Sequence, residues 1–354
     1  MRRTILRTPL FLVLATAAML ACLLVTACSG GGTSNVPDRM GGALSPLMEL
    51  DGDEPDSLEE ASAADNPIEP LEGSSFPAPE KELTVMVYMV GTDLETNHSC
   101  ATNDMLEMAN TVFDSERINV VVYTGGTQSW HTNIPNDRNC VIEVAPGRLT
   151  GVAQTARSLN MAEPETLSAF MRWVDANYPA EHTALVLWDH GGGPATGYGC
   201  DELYGRDTLM LEEMDDALRA AGYGDQRMLD WVGFDACLMD SIEVLQAFDD
   251  YARYFVGSQE VEDGDGWDYK LLEKIDPADP KASAISIVDT FDAFHADEER
   301  SIARPGYTLA AIDLSAVPRI EAALDNLSAS VLSDFEEGDF ATIAQARGRC
   351  RSFG

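Results

Sequence analysis

The chain has 354 residues and a formal net charge of −37 at pH 7, from 60 acidic against 23 basic side chains. Such a charge excludes a nucleic-acid partner, which would need Lys and Arg to displace phosphate counterions, but it suits a cationic substrate and solubility outside the cell. Apolar residues make up 45% of the sequence, enough for one large or two small globular domains with a sizeable core.

Met1-Arg2-Arg3 and Arg7 give a basic start, and residues 9–27 are almost wholly apolar. Val25-Thr26-Ala27-Cys28-Ser29-Gly30 then resembles a bacterial lipobox, with small residues directly before a Cys. The resemblance implies a lipoprotein signal peptide over 1–27, cut before Cys28, whose thiol takes lipid and ties the chain to the membrane. Cys22, with Met19 three residues before it, fits less well. An uncleaved anchor is the competing reading, because the apolar run is long enough to span a bilayer. Either way the remainder lies outside the cytoplasmic membrane. Residues 28–80 are rich in Gly, Ser, Pro, Asp and Glu without a sustained apolar period, and read as a disordered acidic tether. Asp51, Asp53 and Asp56 only faintly suggest a calcium loop, since the Gly at its sixth position is missing.

From Leu83 the texture changes to that of a folded domain, assigned to 81–354. Leu83–Val90 and Ile118–Tyr123 are apolar runs of buried-strand type, and Asp104–Phe113 has helical spacing between them. Cys140–Val144 reads as an edge strand or hairpin. Glu165–Tyr178 is an amphipathic helix with Leu167, Phe170, Met171, Val174 and Tyr178 on one face. An apolar strand through Leu185 stops at His190, followed by Gly191-Gly192-Gly193. Leu211–Ala221 is a helix closed by Gly222. A strand through Trp231 stops at Cys237, and a helix is expected at once from Met239 to Phe248. Tyr254–Ser258 and Tyr307–Ile312 are further strands, and Pro280–Arg300 and Val317–Leu332 further helices. This alternation predicts an α/β fold, a mostly parallel sheet sandwiched by helices, with active groups at the carboxyl ends of its strands.

His190 and Cys237 both fall at such ends. Alone, each reads as structural; together they supply a thiol and a base. A thiolate attacks carbonyl carbon, an adjacent helix N-terminus and an imidazole favour the anion, and the imidazole can protonate a leaving amine. Gly191 lets backbone approach the reacting carbonyl, and its N–H can serve an oxyanion hole together with that of Cys237.

Asp189-His190-Gly191-Gly192-Gly193 and Gly233-Phe234-Asp235-Ala236-Cys237-Leu238-Met239, each after an apolar strand, resemble the clostripain family of cysteine peptidases, a member of the caspase-like fold group. Val87–Glu95, Gly257-Ser258-Gln259-Glu260, Gly264–Tyr269 and Ala311–Leu314 add to the resemblance. It implies a caspase-like fold and a His190–Cys237 dyad that cleaves peptides or proteins after Arg or Lys. A buried guanidinium or ammonium needs a carboxylate, so an acidic S1 pocket follows. Its acids fall on Asp235 and on Asp265, with Asp263 and Asp268 competing for the second place. Asp189 is expected to face away from the Cys. The resemblance also implies self-cleavage between His and Cys; of Arg206, Arg219 and Arg227, Arg206 lies in an expected loop and is the chosen site. It implies further that relatives continue past Gly354, so the chain is expected to be truncated at its C-terminus.

No cofactor is required, calcium dependence is left open, and a monomer is expected. Of Cys100, Cys140, Cys200, Cys237 and Cys350 at least one stays reduced if the rest pair. Two other readings compete. One is a catalytically silent surface lipoprotein that binds peptides or proteins with the same fold. The other is a metal site near His98 and Cys100, although His131, His182 and His295 show no ligand spacing.

Overall fold

In the computed structural model the described residues are 66–224, 226–296, 307–336 and 340–350. The leader over 1–27, Cys28, the tether as far as residue 65 and the C-terminal 351–354 lie outside them. The chain enters with a two-residue strand, β1 (Glu69–Pro70), followed by β2 (Lys81–Val90), α1 (Thr92–His98), α2 (Cys100–Asn110) and β3 (Ile118–Gly125). A hairpin of β4 (Cys140–Ala145) and β5 (Arg148–Gln154) leads to α3 (Pro164–Asn177) and β6 (Ala180–Trp188). A single turn, α4 (Gly193–Thr196), precedes a small ribbon of β7 (Tyr198–Asp201) and β8 (Asp207–Leu209). Then come α5 (Leu211–Ala220), β9 (Leu229–Asp235), α6 (Ile242–Phe248) and β10 (Ala252–Gly257). Last are α7 (Pro280–His295), β11 (Ala310–Asp313), α8 (Val317–Glu336) and α9 (Phe340–Arg347).

Nine strands form one sheet in the order β1-β5-β4-β3-β2-β6-β9-β10-β11. Its centre, β3-β2-β6-β9-β10, is parallel, and the strands added on either side are antiparallel. The continuous apolar runs of the sequence are these central strands, because both faces are covered. Alternate side chains of β2 divide between two cores. Met86 and Tyr88 pack with Phe170, Met171, Met214, Leu218, Phe234 and Phe248, beneath α3, α5 and α6. Val85, Val87 and Met89 pack with Met105, Met108, Trp231, Ile287 and Phe291, beneath α2 and α7. Each such buried side chain stabilises the fold by roughly 1.5–3 kcal/mol.

Three expectations need correction. The folded part begins by Asn66, not at 81. Asn66 is buried and bonded to Arg157 O and Ala156 N, β1 pairs with β5, and the Phe76 ring packs 5.1 Å from Trp173. The run after Cys237 is not helical at once. Leu238 takes φ +63°, residues 238–240 pair back with 258–260, and the helix starts at Ile242 with Ser241 as its N-cap. Of the two readings of Cys140–Val144 the hairpin holds, since β4 pairs with β5, and the edge strand does not, since β4 lies between β3 and β5. No disulfide forms among the described residues. No helix among them is long and apolar enough to cross a membrane.

Candidate active site

Strands β6 and β9 are parallel neighbours, and the last rung of their pairing sets Trp188 opposite Asp235. His190 and Cys237 therefore leave the sheet at the same level, side by side. Asp189 N donates to Asp235 O at 3.3 Å, which carries the pairing one step past the strand end. The two loops then touch. A side chain on Gly191 would overlap the carbonyl oxygen of Cys237, so only Gly allows this approach. Gly192 N–Gly197 O at 2.9 Å and Gly199 N–His190 O at 3.0 Å hold the turn, and these flanking bonds leave the Gly191 N–H out of the pairing.

The His190 ring is two-thirds buried, and its Nε2 lies 3.2 Å from Asp93 Oδ1. Asp93 sits in the first turn of α1, at the end of the neighbouring strand β2. The hydrogen bond to His190 holds the Asp93 carboxyl down at about 2 against the opposing effect of burial, with help from the charges of His190 and Arg206. At neutral pH Asp93 is thus an acceptor only, Nε2 carries the hydrogen, and Nδ1 is left to exchange a proton. Burial pulls the His190 pKa down, but the Asp93 hydrogen bond and the charges of Asp189 and Asp93 outweigh it, and the net shift is upward.

The Cys237 sulfur accepts a hydrogen bond from Glu262 N at 3.3 Å and lies 3.9 Å from Glu262 O. That main-chain donor favours the thiolate. The expected help from a helix N-terminus is absent, since α6 begins five residues further on.

Asp189 is buried with its carboxyl committed elsewhere, accepting from Thr92 Oγ1 at 2.9 Å and Cys200 N at 2.7 Å. Burial raises its pKa to about 7. Asp235 lies beneath the rim, 5% exposed, and accepts from Trp267 N at 3.2 Å and the Tyr269 hydroxyl at 2.9 Å. Burial is the main cause of its pKa rising to about 7, offset in part by these bonds and reinforced by Glu107. The loop carrying Asp265 folds over it: a Cβ on Gly266 would come 2.7 Å from Asp235 Oδ1. Asp265 is exposed, and its charge acts on Cys100 and Asp104 of α2, so it stands on the α2 side of Asp235. Of its two competitors, Asp263 closes a turn through Gly264 N and Gly266 N, and Asp268 caps the following 3-10 turn through Lys270 N. Arg206 lies between β7 and β8 in the left-handed region (φ +64°), with its guanidinium 3.4 Å from Asp93 Oδ1. Among the described residues no group of three or more His, Cys, Asp or Glu is arranged to hold a metal, and His98 and Cys100 do not form one.

Two residues of this site are absent from the sequence reading. Asp93 was visible only as part of a matching stretch, 97 residues from the histidine it holds. Glu262 sits in an acidic run where nothing distinguishes it from Glu260 or Asp263.

A thiol and an imidazole are thus delivered by adjacent parallel strands to one end of a helix-covered α/β sheet. The clostripain family, the C11 peptidases, matches residues 87–346, and the chain belongs to that family. Clostripain of Hathewaya histolytica is 23% identical over 322 residues, covering 74% of this chain; the chain spans 59% of that relative's length. The fold is shared with a secreted C11 cysteine protease from Bacteroides thetaiotaomicron solved with an irreversible peptide inhibitor (TM-score 0.56, 23% identity, 69% of each chain). It is shared too with an inactive zymogen C11 protease from Parabacteroides distasonis (TM-score 0.53, 21% identity, 69% of this chain and 65% of the other).

Proposed function

We propose that the chain is a cysteine endopeptidase that cleaves after Arg or Lys, carried outside the cytoplasmic membrane on a lipid at Cys28. The observation that carries the reading is the common level of His190 and Cys237 at the ends of β6 and β9, with Gly191 against the Cys237 main chain. In this reading Nδ1 of His190 takes the thiol proton and the Cys237 sulfur attacks the scissile carbonyl carbon. The oxygen gains negative charge beside the Gly191 N–H, with the Cys237 N–H as its second donor. The same imidazolium then protonates the leaving amine, and water releases the acyl group from sulfur. Asp93 positions the ring and stabilises its protonated form, as an orienting carboxylate does in other nucleophile–histidine pairs.

The preference for Arg or Lys rests on Asp235 within and Asp265 at the surface. A desolvated charge-assisted hydrogen bond is worth about 1.5–3 kcal/mol, which is on the order of 10- to 100-fold in kcat/KM. Matched fluorogenic peptides ending in Arg, Lys, Asp or Leu test this. Arg and Lys peptides are expected to be cut at least about tenfold faster than Leu; equal turnover of Leu would overturn the acidic-pocket assignment. Self-cleavage after Arg206 is supported by its place on an exposed hairpin beside Asp93, whereas Arg219 is inside α5 and Arg227 is paired with Asp175.

A further inference from the structure

Glu262 touches both halves of the site. Its main chain meets the Cys237 sulfur, and its side chain runs inward to Asp235. The residue is only 8% exposed, yet with Asp235 ionised neither carboxyl oxygen meets an N–H or O–H donor among the described residues, and Trp267 Nε1 is also buried without a partner there. A buried carboxylate without a donor is costly, and Lys or Arg would normally stand beside it. Here none does. The group against it is Asp235 on β9; around Asp235 stand Glu107 and Asp104 of α2 and Tyr269 of the 3-10 turn, with Asp265 acting on Asp104, Lys270 acting on Glu107, and His295 of α7 bound to Gly266 O. Two ionised carboxylates have no hydrogen to offer each other. One proton turns the same approach into a hydrogen bond from Glu262 to Asp235.

We infer that Glu262 is a specificity-determining residue of the S1 pocket, which holds one proton jointly with Asp235 when empty and gives it up when a cationic side chain enters. The inference rests on the S1 reading proposed above. Exchange of a proton for a guanidinium leaves the net charge of the site unchanged by binding: the proton goes to solvent, and the substrate cation takes its place between the two carboxylates. Burial, followed by the repulsion of Asp235, favours the protonated form of Glu262 in the empty site.

Calorimetry of benzamidine binding at pH 8, where Asp235 is ionised in the empty site, in buffers of different ionisation enthalpy, reads the exchange directly on the full chain. The wild type is expected to release about one proton per benzamidine bound, and neutral benzamide is expected not to bind. Glu262→Gln keeps the main-chain amide at the sulfur. It is expected to release no proton and to raise KM for an Arg peptide about tenfold or more, with kcat kept within about threefold. Benzamidine binding without proton release, or Glu262→Gln with unchanged KM, overturns the inference. Asp235→Asn separates the two levels. If it leaves the Arg-over-Leu ratio intact, the S1 reading itself fails; if it collapses the ratio while Glu262→Gln changes nothing, only the role of Glu262 fails.

Discussion

Trp188 and Asp235 face one another across β6 and β9, and two residues beyond that rung the chain places His190 and Cys237. The rung does two jobs. It fixes the level of the imidazole and the thiol, and it sets the Asp235 carboxyl two residues below the sulfur. Asp235 belongs to β9 and accepts from Trp267 and Tyr269, so the acid under the nucleophile is held by the sheet and by the loop from Gly264 to Tyr269 together.

Replacing Asp93 separates positioning from the reaction itself. Asp93→Asn is expected to lower kcat by roughly 10- to 100-fold with little change in KM. Asp93 raises the His190 pKa, so its removal moves that pKa down. With only five histidines in the chain, NMR titration of the ring protons in a Cys237→Ala background can follow His190 directly. An unmoved titration would mean that the Asp93 contact is not made in solution.

Buried acids give stability a definite slope with pH. Asp235 and Asp189 are each raised from 3.8 to about 7 by burial. Between those values the folded chain binds more protons than the unfolded one, so stability falls as pH rises through the window from about 4 to 7. Asp235→Asn removes one contributor and is expected to raise Tm at pH 8 by several degrees, an effect on the order of a few kcal/mol. The gain should vanish at pH 4. Thermal melts of both proteins across this range check the sign.

How much of this was open to inspection in the sequence differs from residue to residue. The central strands were legible because Val85–Val90 and Trp231–Phe234 are apolar without a break, which only a doubly covered sheet needs. The dyad was legible because each run stops at a reactive side chain. The ribbon of β7 and β8 was not, being three or four residues a strand and held by turns at Gly197, Gly199 and Gly205 with positive φ. Met239 misled, as an apolar residue before an apolar helix, because the left-handed turn at Leu238 leaves no local mark. Asp93 and Glu262 act through partners 97 and 27 residues away, His190 and Asp235, and only pairing of the strands supplies that information.

Self-cleavage has a geometric expectation as well. Wild-type chain is expected to yield a new N-terminus at Asp207, and Cys237→Ala to remain intact. N-terminal sequencing of both proteins decides it. The same nick in Cys237→Ala would assign the cut to another protease.

The central claim is that the Cys237 sulfur attacks a carbonyl held beside His190. A thiol-reactive peptide ketone ending in Arg, followed by mass-spectrometric peptide mapping, tests it most directly. The expected result is one adduct, on Cys237, lost in His190→Ala and slowed at least about tenfold when Leu replaces Arg. Labelling of Cys100 or Cys200 in its place, or a Cys237 adduct that forms equally well without His190, would contradict the account.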